Sequence, residues 1–458
     1  MSAPPSVNRI LSRLRESAFF RSVVLLSGGS AAANLITFAA LPVLTRLYSP
    51  ADFSVLAVFS GVLSTLAVAA CLRFDVAVAM PADDDDALNL VGLAVLSSCA
   101  VAALVGIVTV LFATTWRSLP RFEEIAGFLW LLPVGLLLSG LYLASQVFYV
   151  RKRAFRLLAG TRVGQSSLAA GVQLGCGVGG IAPLGLLFGQ VLNTGAGAFV
   201  LLWRLIRTEQ HMIQRLSFVR MRALITTYRR FPTLSTFEAL ANACGIFLPV
   251  ILIGMLDAGP EAGYLTLAMN VIYAPMALIG SAITQVYLSH GPESHRQDSL
   301  ARLTSDVLVG LFRTGAGPIL FAGIVAPAFI GMVFGDSWNR TGVLIAWLTP
   351  SFLLQFLTVP ISMALHITGR QGSALALQIF GLLFRSLAVV VVASTGKGWL
   401  AETYAISGIV FYGAYLVTIL VATRVSIGDL LKARGVCAIP AAWAVAGLVV
   451  AGLGSLIR

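Results

Sequence analysis

Residues 206–232 read IRTEQHMIQRLSFVRMRALITTYRRFP, with Arg207, Arg215, Arg220, Arg222, Arg229 and Arg230 set among Met, Ile, Leu, Val and Phe. On both sides of this segment the chain is almost uniformly apolar. Six apolar stretches precede it, at 22–45, 53–71, 87–112, 125–150, 157–180 and 184–205. Six more follow, at 234–256, 261–286, 306–334, 343–366, 373–394 and 402–423, and a thirteenth, 436–456, closes the chain. About 20 apolar residues in a helix cross the hydrocarbon core of a bilayer, so each stretch is long enough to span. Basic and apolar residues mixed as in 206–232 read as an amphipathic helix on the inner membrane surface. The segment is also a natural joint. It divides the chain into an N-terminal lobe 1–205, a linker 206–233, a C-terminal lobe 234–425 and an additional C-terminal helix 426–458. The expected fold is an all-α polytopic membrane helix bundle of about 13 spans.

Composition agrees. The 458 residues are 58% hydrophobic and 11% charged, with a mean hydropathy of +0.91. Soluble domains carry roughly 25% charged residues, so the solvent of this chain is lipid. Twenty-two of the 31 Lys and Arg residues fall in every second gap between spans. Six (Arg46, Arg117, Arg121, Arg340, Lys397, Arg458) fall in the opposite gaps or at the C-terminus, and Arg162, Arg313 and Arg385 lie inside spans. Cytoplasmic loops retain Lys and Arg in this way, which places the N-terminus in the cytoplasm and the C-terminus in the periplasm. The net charge of +12 then reflects attraction to anionic lipid rather than to nucleic acid. The first apolar run continues to Val43, too long for a cleaved signal, and reads as a retained helix.

The halves look related. Ala33-Asn34, Leu41-Pro42-Val43-Leu44 and Ser49-Pro50-Ala51-Asp52 in the first half correspond in order to Ala241-Asn242, Leu248-Pro249-Val250-Ile251 and Gly259-Pro260-Glu261-Ala262 in the second. Six spans per half with one orientation make parallel repeats, related by an axis along the membrane normal, and transporters built so carry their substrate path at the repeat interface. Pro42 and Pro249 are hinge candidates, because an intrahelical proline removes a backbone hydrogen bond and bends the helix. Gly171, Gly175 and Gly179 form a small-residue ridge expected to pack against a neighbouring helix.

Charge inside a span is expensive and marks function. Arg385, near the middle of its span, calls for a polar cavity or a buried partner. Arg162, Arg313 and Glu238 lie nearer the cytoplasmic ends, where they either snorkel or pair locally, or form a cationic mouth for a phosphate-bearing headgroup. Arg73, Asn34, Asn242 and Asn270 complete the substrate-cavity candidates. Gln165, Gln190, Asn193, Gln355 and Gln378 add further amides, which either glue helices together or bind sugar hydroxyls. Asp75 and Glu238 are the candidates for taking up a coupling proton. The run Asp83-Asp84-Asp85-Asp86 reads as a capped helix start at the positive end of the dipole. Neither the five cysteines nor the four histidines have disulfide, zinc or catalytic spacing. Ser394-Thr395-Gly396-Lys397-Gly398 lacks the spacing of a phosphate-binding loop. The chain therefore reads as a transporter without an ATP or catalytic site.

Four strings resemble a known family: Leu47-Tyr48-Ser49-Pro50-Ala51-Asp52-Phe53, Leu72-Arg73-Phe74-Asp75-Val76-Ala77-Val78-Ala79-Met80-Pro81, Phe155-Arg156-Leu157-Leu158-Ala159-Gly160-Thr161-Arg162, and Phe334-Gly335-Asp336-Ser337-Trp338 with Gly369-Arg370-Gln371 beyond it. They are similar to the Wzx-type oligosaccharide flippases, polysaccharide-biosynthesis proteins of the multidrug/oligosaccharidyl-lipid/polysaccharide exporter superfamily. The resemblance implies two parallel six-helix lobes around a central cavity open to one side at a time. It implies a polyprenyl-diphosphate-linked oligosaccharide as substrate, flipped across the bacterial inner membrane for surface polysaccharide assembly, with cavity arginines on the diphosphate. It also implies no cofactor, a proton or sodium gradient as the driving force, and contact with membrane lipids, a polymerase and other polysaccharide-assembly proteins. The competing readings are a cation-coupled drug exporter of the same superfamily, a peptidoglycan-precursor flippase, and a membrane-embedded polysaccharide polymerase or transferase. A drug exporter is expected to carry an acid deep in the first helix of a half, and the first span has none. A polymerase is expected to have a large external loop, and 113–124 is the longest external gap.

Overall fold

A backbone in lipid has no water to bond, so each apolar stretch must satisfy its own N–H and C=O groups as a helix. The structure, a computed structural model, describes residues 18–113, 123–210, 214, 216–257, 259–396, 398–426 and 437–457. Arg9, Arg13, Arg15, Arg117, Arg121, Arg215, Lys397, Lys432, Arg434 and Arg458 of the charge pattern, and His211, lie outside the described residues.

Among the described residues thirteen long helices follow in order: α1 (Ala18–Leu47), α2 (Pro50–Ala70), α3 (Asp84–Leu111), α4 (Leu131–Arg151), α5 (Phe155–Val178), α6 (Leu184–Thr208), α7 (Phe231–Leu256), α8 (Glu261–Arg296), α9 (Leu300–Phe334), α10 (Asn339–Thr358), α11 (Gln371–Ser394), α12 (Leu400–Thr423) and α13 (Ala438–Ile457). Ten helical stretches are long and apolar enough to cross a membrane. The helices α5, α8 and α13 fall outside that set, α13 because its apolar stretch Ala438–Gly454 is shorter; the other two are set apart by their polar residues or their length. The helix α5 carries Arg156, Arg162, Gln165 and Gln173 along its length, and α8 runs 36 residues and ends in Glu293 and Arg296. Large apolar side chains such as Leu104, Val110, Phe199, Val391 and Val421 are more than half exposed, as a lipid-facing surface requires.

The helix starts are chemically specified. Ser49 caps α2: its Oγ accepts from the Asp52 amide at 3.2 Å while Asp52 Oδ2 accepts from the Ser49 amide at 2.8 Å, with Pro50 in the first turn. Asp83 caps α3 by accepting from the Asp85 amide. The rest of the acidic run does more than complement a dipole. Asp84 takes Arg151 Nε and Lys152 Nζ, each at 2.9 Å, and Asp85 lies 3.7 Å from Arg220. Two basic loops are thereby tied to the start of α3.

The linker departs from expectation. The helix α6 runs on to Thr208, and only Phe218–Thr227 of the segment is a separate helix. That helix buries Met221 and Leu224, and Met221 lies against Gly92 of α3. Its other face presents Phe218 and Val219, each about 80% exposed, beside Arg222. It is ten residues long, between the end of α6 at Thr208 and the start of α7 at Phe231.

The two lobes repeat one packing scheme. In the first, α1 packs on α5, α3 on α4, α4 on α6 and α5 on α6; in the second, α7 packs on α11, α9 on α10, α10 on α12 and α11 on α12. Between lobes, α2 packs on α7 and α8, and α1 on α8. The thirteenth helix lies against α9, where Trp443 covers Gly317 and meets Phe321 edge-on at 5.5 Å.

The glycine ridge on α5 was expected to bring a neighbour close, and it does not: nothing lies within 4 Å of a Cβ built on Gly171 or Gly175, and Gly179 meets only its own turn and Ile181. That face of α5 points away from α1, which approaches instead through Gly29 on Ala159. Close approaches between lobes run along α2 and the helices facing it: Gly61 on Ile251, Gly254 on Val58, and Gly263 on the Pro50 carbonyl. A Cβ on Gly263 would overlap that backbone oxygen. Gly263→Val is expected to wedge this end of the lobes apart, read as increased thiol labelling of a cysteine introduced at Ser54. Unchanged labelling would show that the contact does not hold the lobes together.

Candidate functional site

Arg385 occupies α11 and is 4% exposed. Its surroundings come from four other helices. Tyr404 of α12 lies under the guanidinium, 4.4 Å from ring centroid to Cζ, and Phe411 of the same helix lies at 5.9 Å. Gly381, one turn earlier on α11, leaves the room that Phe411 fills. Across the gap, Arg385 Nη1 donates weakly to the Gly245 carbonyl of α7 at 3.4 Å. Its Nε is buried without an acceptor, and no carboxylate pairs with it among the described residues. Stacking on aromatic faces offsets up to about 2 kcal/mol for a desolvated guanidinium, less than full compensation for a charge at this depth.

The guanidinium borders a cavity of about 360 Å³. Asn242, Tyr273, Gln355, Gln378, Tyr412 and Tyr415 line it with amides and phenols. Gln355 Nε2 donates to Tyr273 Oη at 2.8 Å, which fixes both groups toward the cavity. Chemically the site offers one permanent cation, several neutral donors and flat aromatic faces. That combination suits an anionic group carried on a sugar or another polar body.

The sequence candidates separate on this frame. Arg385 and Asn242 line one cavity. Arg162 belongs to the other lobe, where its Nη1 reaches the Asn193 carbonyl at 3.4 Å and Asn193 Oδ1 accepts from Ser166 at 3.1 Å. It is the eighth residue of α5, as Gln378 is the eighth of α11, and both helices have 24 residues. Arg162 thus holds the N-lobe place that a cavity-lining amide holds in the C-lobe. Asn34 on α1 and Asn270 on α8 are exposed, and Glu238, the eighth residue of α7, is exposed. Arg313 is exposed within the π-helical turn Phe312–Ala316 of α9, farther from the helix start than the span boundary at 306 implied, because α9 begins at Leu300.

Arg73 and Asp75 sit in a sharp turn after α2. Leu72 and Arg73 take left-handed backbone angles, φ 49° and 60°, and lead into the short helix Phe74–Ala77. Asp75 is 7% exposed with Oδ1 unpartnered, and Arg73 Nε is buried without an acceptor. Pro42 and Pro249 both lie inside helices that continue through them.

Two features escaped the sequence reading. Trp338, fully buried, donates from Nε1 to the Thr45 carbonyl at 2.9 Å and packs edge-on against Phe53 at 4.9 Å. Two of the family-like strings therefore meet here across the lobes. Beside it, Arg340 joins Glu261 and Glu402. The available signal was Arg340 itself, an arginine on the wrong side of the charge alternation, with an acid in the first turn of both α8 and α12.

Comparison with known proteins agrees with this architecture. The structure is similar to "Lipid II flippase MurJ, inward closed conformation", with a TM-score of 0.67 at 13% identity over 95% of this chain and 97% of that one. It is also similar to an inward-facing multidrug resistance MATE family transporter of the MOP superfamily, with a TM-score of 0.51 at 14% identity over 90% and 96%. These likenesses show a shared fold, a multi-pass bundle of membrane helices. No curated protein matches the sequence. A profile described as "Polysaccharide biosynthesis protein" matches residues 43–342. Spanning well over half of the chain, that match shows that the protein belongs to the polysaccharide biosynthesis protein family.

Proposed function

We propose that the protein is a flippase that moves a polyprenyl-diphosphate-linked oligosaccharide across the bacterial inner membrane by alternating access, for surface polysaccharide assembly. The arginine-rich ends of its helices face the cytoplasm. The observation that carries this reading is Arg385: a buried guanidinium without a carboxylate, aimed at a cavity of amides and phenols. A fixed positive charge in that position attracts a diphosphate and repels a cationic drug. Arg162, in the matching place of the other lobe, supplies a second cation, and Asn34 and Asn270 add hydrogen-bonding groups. The lobes touch most closely at the arginine-poor end, through Trp338 on Thr45 and Gly263 on Pro50, so the cavity loads from the cytoplasm. Pro42 and Pro249 are the bends through which the first helix of each lobe changes shape. A gradient of protons or sodium drives the cycle.

The test is translocation in proteoliposomes of a fluorescent polyprenyl-diphosphate saccharide, followed by quenching of the label left on the outer leaflet. Saturable transfer is expected, with no uptake of lipophilic cations. Transport of cations without lipid transfer would favour the drug-exporter reading and overturn this one.

A further inference from the structure

Glu261 opens α8, Arg340 lies in the first turn of α10, and Glu402 lies in the first turn of α12. Arg340 Nη2 is 2.6 Å from Glu261 Oε1 and 2.6 Å from Glu402 Oε1, and its Nε reaches Glu261 Oε1 at 3.2 Å. One guanidinium therefore holds two carboxylates, and the network carries one negative charge in excess. The side chains of Glu402, Glu261 and Arg340 are 8%, 13% and 31% exposed, so burial deepens from the cation inward. The second oxygen of Glu402, Oε2, is buried and meets no hydrogen-bond donor among the described residues. Among the described residues, other charged and titratable groups beside the pair do not compensate. Asp257, at the end of α7, adds negative charge toward Glu261, and Tyr264 of α8 is a neutral phenol. Arg385 of α11 is engaged by the ring of Tyr404.

A buried carboxylate pair with a single counter-charge is poorly compensated, and two such groups do not both stay ionised at no cost. We propose that the Glu261–Glu402 pair, clasped by Arg340, is a proton-binding site that takes one proton from the water at the arginine-poor face and thereby holds that end of the lobes shut. The proton comes to the carboxylate pair from external water and removes the excess charge.

The link to the lobes is short. Arg340 follows Trp338 by two residues, and Trp338 donates to Thr45 of the other lobe. Gly263, two residues after Glu261, donates its amide to Ser54 Oγ at 2.8 Å. The helix starts that carry the charges are the ones that bear on the N-lobe. With this end open, water solvates both carboxylates; with it shut, a proton must replace the water. Acid at this face therefore favours the shut state. This inference rests on the alternating-access reading above.

Spin labels at Ala51→Cys and Ser337→Cys, in a variant whose native cysteines are replaced, report the gap at this end in nanodiscs. Both positions are exposed. The short-distance population is expected to dominate at acid pH and to fall several-fold at alkaline pH. Glu402→Gln carries the neutral form and is expected to keep the short distance at every pH. Glu261→Gln provides a second neutral form should the first fail to fold. A wild-type distance independent of pH, or a glutamine variant with the wild-type pH midpoint, overturns the proposal. A distance change on adding a polyprenyl diphosphate without any pH dependence overturns the proton site and leaves the flippase reading standing.

Discussion

Arg385→Ala is expected to abolish translocation of the lipid-linked saccharide, and with it surface polysaccharide, while the protein still inserts and folds. Two quantities set the size of the effect. A hydrogen bond to a charged group contributes about 1.5–3 kcal/mol, and a guanidinium on a phosphate makes two. Losing both weakens binding by roughly a hundredfold to more than ten-thousandfold, since about 1.4 kcal/mol is a factor of ten. Stability moves the other way or stays level. The arginine makes one long hydrogen bond to Gly245 and has no carboxylate to leave behind. Removing an unpaired buried charge relieves desolvation, and its aromatic neighbours lose only a stacking partner. The thermal midpoint is therefore expected to hold or rise while transport is lost. Arg385→Lys keeps the charge but not the planar fork, and should fall between wild type and alanine. Normal polysaccharide display by the alanine variant would remove Arg385 from the substrate path. A thermal midpoint several degrees lower would mean that the arginine serves packing instead.

Arg385 was legible in the sequence for the reason that makes it costly. It is the arginine that the alternation of loop charge does not absorb, and a span cannot hide a guanidinium without a cavity or a partner. What holds it was not legible. Tyr404 and Phe411 lie on the next helix and look in sequence like ordinary fillers of an apolar span. The helix start at Asp83 could be read because a cap is local chemistry between residues two apart. The triad of Glu261, Arg340 and Glu402 could not, because its members lie 79 and 62 residues apart and meet only when three helix starts converge. The glycine ridge on α5 failed for a related reason. Spacing identifies a smooth face, but only the neighbour's position decides whether that face is used.

Trp338 gives the largest expected shift between conformations. Its indole serves one of the last carbonyls of α1, which a helix end leaves without intrahelical donors; the donor comes from the opposite lobe. Its ring also fills the space between Phe53 of the N-lobe and Tyr264 of its own lobe, at 4.9 and 5.9 Å. Truncating a buried Trp costs about 3–5 kcal/mol. Part of that cost falls on the contact with Tyr264, which persists when the lobes separate and so does not shift the equilibrium. The part made with Phe53 and Thr45 is lost on opening, and at roughly half the total it corresponds to a tenfold to fiftyfold shift by the usual 1.4 kcal/mol per decade. Trp338→Ala is thus expected to move the protein toward the state open at the arginine-poor end, read as faster thiol labelling of a cysteine at Ser54. Trp338→Phe separates the two contributions. It keeps an aromatic ring against Phe53 and loses only the bond to Thr45, a change of about 0.5–1.5 kcal/mol, so labelling should rise only a few-fold. Equal labelling in both variants would place the whole effect in the hydrogen bond. Labelling unchanged from wild type in both would mean that Trp338 packs within its own lobe and does not hold the two together.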